Sequence, residues 1–95
     1  MKKVLCFGDS NTYGFVPGKC TRYDKNTRWT GVLQALCGSD FSIIEGGCNN
    51  RTAFVDNPAG AEQTGYKILP EYFTKDYFDI VVLAIGINDL QLFFR

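Results

Sequence analysis

In FDIVVLAIGIND, residues 78–89, the run from Val81 to Ile85 is apolar without polar alternation. A strand with one wet face alternates. An unbroken apolar run of this length marks a strand covered on both faces, as in a parallel sheet flanked by helices. Parallel neighbours need long crossover connections, so the rest of the chain has to supply helices between strands.

It does. KKVLCFG (2–8) reads as a buried strand ending in glycine, and FSIIE (41–45) as a second. Residues 11–26 read as a helical turn after Ser10 and then a loop through Pro17-Gly18. In NTRWTGVLQALCGSD, Trp29, Val32, Leu33, Leu36 and Cys37 fall on one helical face, with Asn26 or Thr27 as the cap and Gly38 as the stop. GGCNNRTAFVDNPAGAEQ (46–63) is a long polar connection. AEQTGYKILPEYFT (61–74) reads as a helix with Tyr66, Leu69 and Phe73 on one side, kinked or restarted at Pro70. LQLFFR (90–95) begins a last helix. The order β-α-β-α-β-α predicts an α/β unit with a parallel sheet, helices on both faces and right-handed crossovers. There is no internal repeat or second domain, so residues 1–95 are expected to belong to one domain.

Charge and cysteine usage narrow the partners. Ten basic and ten acidic residues cancel and no basic block exists, so no nucleic-acid footprint is expected. A hydrophobic content of 45% is too high for a disordered chain. No run approaches the roughly 20 apolar residues of a membrane span. Val4–Phe7 is shorter than the ~7–15 residues of a leader core. Cys6, Cys20, Cys37 and Cys48 form no C-x-x-C pair, and the chain has no histidine. Free thiols, a cytoplasmic setting and no metal or cofactor are the expectation.

Ligands of open parallel sheets bind beyond the carboxyl ends of the strands. Gly8, Asp9, Ser10 and Asn11 follow the first strand. Gly46, Gly47, Cys48, Asn49, Asn50, Arg51 and Thr52 follow the second, and Gly86, Asn88 and Asp89 the third. Each cluster alone is ordinary turn and cap chemistry. Three at successive strand ends gather a hydroxyl, amides and glycines at one edge, which suits a carbonyl, ester or phosphate.

The blocks FGDSNTYG (7–14), GGCNNRT (46–52) and GIND (86–89) resemble those of the SGNH, or GDSL, hydrolases. LCFGDSNTYGFVP, RWTGVL, RTAFVDNP and INDLQLFFR resemble the arylesterase/acyltransferase branch, so the likeness runs along the whole chain. The resemblance implies a flavodoxin-like three-layer α/β/α fold, here an incomplete three-stranded N-terminal part of a sheet ordered 2-1-3-4-5. It implies a small ester substrate and an acyl-serine intermediate, with water or an alcohol as acceptor. Ser10 would be the nucleophile. The Ser10 and Asn50 N–H groups and the Asn88 side chain would form the oxyanion hole. Asp9, Gly86 and Asp89 would be structural, and Arg51 is expected in a loop salt bridge. Most members carry glycine where this chain has Asn50; a backbone donor survives that change.

The family's D-x-x-H block, which supplies base and orienting acid, has no counterpart up to Arg95. Serine needs such a base. The 95 residues alone are therefore expected to be a very poor esterase, and a catalytically inactive SGNH-like binding module is the alternative. The third strand would be left as a sheet edge. Association is then expected, with a second copy or with a separate C-terminal segment.

Overall fold

A computed structural model describes residues 1–93. The chain forms β1 (Lys2–Gly8), α1 (Ser10–Tyr13), β2 (Phe15–Val16), β3 (Thr21–Arg22), α2 (Trp29–Cys37), β4 (Phe41–Gly47), α3 (Gly65–Lys75), β5 (Ile80–Ala84) and α4 (Ile87–Phe93). A single 3-10 turn, Gly38–Asp40, links α2 to β4. The main sheet has the order β4-β1-β5, and both pairings are parallel. This is the second-first-third arrangement expected of the family fold.

β1 is the middle strand and the core. Val4, Leu5, Cys6 and Phe7 are all buried. Burial pushes the Cys6 thiol above its ordinary range, with Glu45 and Cys37 adding to the effect. α3 closes one side of β1 by setting the Tyr72 ring edge-on to Phe7, 5.5 Å between centroids.

Several local expectations are corrected. Residues expected to form a plain loop hold a small antiparallel ribbon, β2 with β3. Its turn, Val16-Pro17-Gly18-Lys19, is closed by Lys19 N–H on Val16 C=O, with Gly18 at φ +79°. Proline followed by glycine is the chemistry of a type II turn. Two-residue strands are too short to show a period.

α2 is capped by neither Asn26 nor Thr27. Arg28 occupies the cap without a side-chain bond, while Asp24 accepts from Thr27 N–H and Oγ1. Val32 and Leu36 stay exposed rather than facing the core. Polar chemistry turns α2 instead: Thr30 is buried and its hydroxyl bonds Glu45, which also takes a two-pronged pair from Arg28. Gln34 accepts from Ile43 N–H at 2.8 Å and donates to Phe41 C=O at 2.9 Å, so an amide side chain sits on the outer edge of β4.

α3 starts at Gly65, not Ala61, and runs through Pro70 as one helix. Proline removes one N–H from that helix, yet no restart follows. Tyr66 and Phe73 are exposed; Tyr72 is the residue that meets the core. β5 covers only Ile80–Ala84 of the apolar segment and lies at the sheet edge, with Ile80 and Leu83 exposed. The last helix is present as α4; Phe94 and Arg95 lie outside the described residues.

Candidate active site

The parallel register sets the strand ends level: Gly8 pairs with Gly47 on one side and with Ala84 on the other. The residues that follow each strand therefore emerge along one edge. α1 presses flat against that edge. A Cβ at Gly47 would collide with the Tyr13 nitrogen, and one at Gly8 would lie 2.7 Å from Thr12 Cβ. Cys48 N–H donates to Gly8 C=O at 3.1 Å and joins the first two loops.

Asp9 caps α1. It is buried, its carboxylate accepts from Asn11 N–H at 3.1 Å, and its carbonyl accepts from Thr12 and Tyr13 N–H. Asp9 is thereby committed to backbone, and Ser10 follows as the first helical residue, half-buried. Thr12, two residues further on, accepts from the Trp29 indole N–H at 3.3 Å. A cleft of about 310 Å³ opens beside this turn, lined by Asp9, Asn11, Thr12, Trp29, Ala84, Ile85 and Ile87. A second hollow of about 300 Å³ lies under α3 and contains none of the candidate residues.

The second loop is a β-turn, Cys48-Asn49-Asn50-Arg51, closed by Arg51 N–H on Cys48 C=O at 3.4 Å. Asn50 occupies its third position with φ +64°. A positive φ there defines the type II family of turns and selects glycine or asparagine. This explains physically why asparagine can stand where the family usually has glycine. Among the described residues the Asn50 N–H has no acceptor.

Arg51 points inward. It is fully buried, donates to Gly46 C=O at 2.8 Å and Glu62 C=O at 3.0 Å, and lies 4.4 Å from the Phe7 ring centroid. Its partner carboxylate, Glu62 at 3.2 Å, is 58% exposed. Arg51 is thus a loop-to-sheet bolt with a salt bridge, and its guanidinium is committed to these internal contacts.

Gly86 adopts φ +137°, a conformation closed to side-chain-bearing residues in practice, and this turn delivers Asn88 and Asp89 into α4. Asn88 Nδ2 donates to Arg51 C=O at 3.0 Å, which ties the third strand end to the second. An amide nitrogen carries two hydrogens, so one remains for a ligand. Asp89 is buried and accepts from the N–H groups of Ala53 (2.6 Å), Phe54 (2.9 Å) and Val55 (2.9 Å). Burial pushes its carboxyl up, but these backbone donors outweigh burial and hold it below its ordinary value. It folds the loop and is occupied doing so.

Sequence reasoning passed over Asn57, which donates from Nδ2 to Asn50 C=O at 2.6 Å. The Asn57-Pro58 pair signals a turn, but nothing in the sequence says which loop that turn touches. Among the described residues no group of three His, Cys, Asp or Glu side chains converges as a metal site.

No family model matches the chain, and no curated protein does. Solved structures do. An aryl esterase of M. smegmatis is similar over the whole chain at 38% identity with a TM-score of 0.91. A carbohydrate acetylesterase from Sinorhizobium meliloti is similar over 100% of the chain at 38% identity and 0.92. A second carbohydrate acetylesterase family member from that organism covers 95% at 38% identity and 0.86. The chain spans 46%, 47% and 43% of those three proteins, about half their length. The three parallel strands with flanking helices are the α/β arrangement of these esterases. The chain is thus similar, along its whole length, to aryl and carbohydrate acetylesterases of the SGNH, or GDSL, type.

Proposed function

We propose that these 95 residues are the N-terminal part of a single SGNH domain and carry the nucleophile and oxyanion donors of a serine esterase for small acyl or aryl esters. The observation that carries this reading is the level alignment of the three strand ends, bound together by Cys48 N–H on Gly8 and Asn88 Nδ2 on Arg51.

In this reading Ser10 Oγ attacks the ester carbonyl carbon and gives its proton to a base. The carbonyl oxygen takes the electron pair and becomes the oxyanion. The Ser10 N–H, the Asn50 N–H and the free hydrogen of Asn88 Nδ2 stabilise it. Collapse expels the alcohol, protonated by the same base, and leaves an acyl-serine. Water or another alcohol then releases the acyl group, giving hydrolysis or acyl transfer. Asp9, Gly86 and Asp89 shape the loops. The base comes from outside these 95 residues, since the chain has no histidine. The β5 edge, with Ile80 and Leu83 exposed, supports association on that side with a second copy or with a C-terminal segment that brings it. Free cysteines support a reducing, cytoplasmic setting.

The absence of histidine favours a second reading, an inactive SGNH-like module that binds esters without turning them over. One experiment separates the two. A fluorophosphonate is applied to the chain, to Ser10→Ala and to Asn88→Ala, and the label is mapped by mass spectrometry. With its base outside these residues, the esterase reading expects slow label confined to Ser10, sustained by the oxyanion donors alone, none in Ser10→Ala, and a rate lower by ~10²–10³ in Asn88→Ala, the usual cost of one oxyanion donor. An unlabelled Ser10 supports the inactive module. Equal rates in the chain and in Asn88→Ala would remove Asn88 from the site. Without a base, steady-state ester turnover by the chain is expected to stay within the ~10³–10⁴ over water that such scaffolds retain.

A further inference from the structure

The turn that carries Asn50 holds a side-chain-bearing residue in the left-handed region, and such a conformation persists where its surroundings fix it. The bond that Asn50 itself makes is to Asn57: its carbonyl accepts from Asn57 Nδ2 at 2.6 Å. The next carbonyl along, that of Arg51, accepts from Asn88 Nδ2. Two successive peptide oxygens of this loop are thus each pinned by an asparagine amide.

Asn57 is itself firmly set. Its Oδ1 accepts from Ala59 N–H at 3.0 Å, an Asx-turn over Pro58. Its own N–H donates to Thr64 Oγ1 at 3.0 Å. The Thr64 hydroxyl donates to Gly60 C=O at 3.0 Å and closes the 57–64 loop on itself. That loop is joined to the loop that carries Asn50 by Thr52 N–H on Gln63 C=O at 2.8 Å and Gly65 N–H on Thr52 C=O at 2.7 Å. The orientation of the Asn57 amide follows from this network. The atom facing the Asn50 and Gln63 carbonyls has to be the nitrogen, because both partners only accept.

We infer that Asn57 is a positioning residue: its amide pins the Asn50 carbonyl and so aims the Asn50 N–H at the oxyanion site. In a residue of fixed φ and ψ the N–H and C=O are rigidly related, so holding one directs the other. Asn57 itself touches no reacting atom. The inference rests on the esterase reading for its consequence and on the loop geometry for its cause.

The test uses two variants and two readouts. Asn57→Asp keeps the oxygen that serves Ala59 and replaces the donor that serves Asn50. Asn57→Ala removes both contacts and controls for the new charge. On isotope-labelled chain, φ of Asn50 is read from backbone couplings, and unchanged Leu5 and Cys6 amide resonances certify the fold. Fluorophosphonate labelling of Ser10 is the second readout. Asn57→Asp and Asn57→Ala are expected to lose the positive φ at Asn50 and to slow labelling by up to ~10²-fold, the cost of a misplaced group. A positive φ that survives both substitutions overturns the inference, whatever the labelling rate. A lost φ with an unchanged rate leaves the clamp standing and removes the Asn50 N–H from the esterase site.

Discussion

Asp89→Asn offers the sharpest quantitative test of how the third strand end organises the second loop. The buried carboxylate receives Ala53 N–H on one oxygen and Phe54 and Val55 N–H on the other. In the better orientation of an asparagine, its single oxygen keeps the Phe54 and Val55 donors. Its NH₂ then faces the Ala53 N–H, donor against donor. One charge-assisted bond is lost, two become neutral, and one buried N–H is left without a partner. At roughly 1.5–3 kcal/mol for a bond to a charged group and ~1 for a neutral one, the low ends of these ranges alone give a cost of about 3 kcal/mol. That is a large share of the ~5–15 kcal/mol that holds a domain together.

The cost also has a pH signature. The folded carboxyl sits below its ordinary value, so Asp89 contributes its full stabilisation above the unfolded value of about 3.9 and loses it as pH falls through the lower, folded one. Urea unfolding of the chain and of Asp89→Asn at pH 7 and at steps down to acid pH is the assay. The gap is expected near 3 kcal/mol at pH 7, shrinking below about pH 4. A gap under ~1 kcal/mol at pH 7, or one indifferent to pH, would refute the account of Asp89 as an ionised loop anchor.

Two further outcomes follow from buried groups. Arg51→Met removes the donors to the Gly46 and Glu62 carbonyls and should cost about 2–3 kcal/mol, whereas Glu62→Gln, at a carboxylate 58% exposed, should cost under ~1; equal costs in a denaturant titration would show that the ion pair, not the carbonyl contacts, holds Arg51. Thiol labelling of the native chain by a disulfide reagent at pH 8 should modify exposed Cys20 readily and leave Cys6 unreacted until denaturant is added, because Cys6 is buried and its thiol is pushed up; fast labelling of Cys6 would contradict the packed β1 core.

What was legible in the sequence is what repeats or what stands alone. The β1 and β5 runs announce themselves as strands by their unbroken apolar residues, but only β1 is buried as that pattern implies; β5 lies at the edge with Ile80 and Leu83 exposed. Gly8, Gly47 and Gly86 mark strand ends because backbone approaches there too closely, or turns too sharply, for a side chain. The helix faces were less readable. Val32 and Leu36 fit an apolar stripe, yet α2 is oriented by Thr30 and Gln34, whose partners lie on β4 and cannot be paired from sequence. Tyr66, Leu69 and Phe73 make an equally good stripe on α3, but Tyr72 is the residue that reaches Phe7. At position 50 the φ of +64° makes asparagine and glycine two residues that tolerate one conformation. Asn57 was invisible because its significance is a contact across the loop, and no local pattern encodes it.

The amide of Gln34 on the rim of β4 gives the sheet a handed rule for growth. A strand seeking to extend the ladder there finds Ile43 N–H and Phe41 C=O already engaged, and must first displace a side chain that satisfies both. The opposite rim, β5, shows no comparable guard among the described residues. Open rims are where foreign strands dock and where aggregates seed. Nascent or misassembled copies of this chain should therefore stack with a polarity, engaging through β5 first. Changing Gln34 would convert a template with one sticky end into one with two.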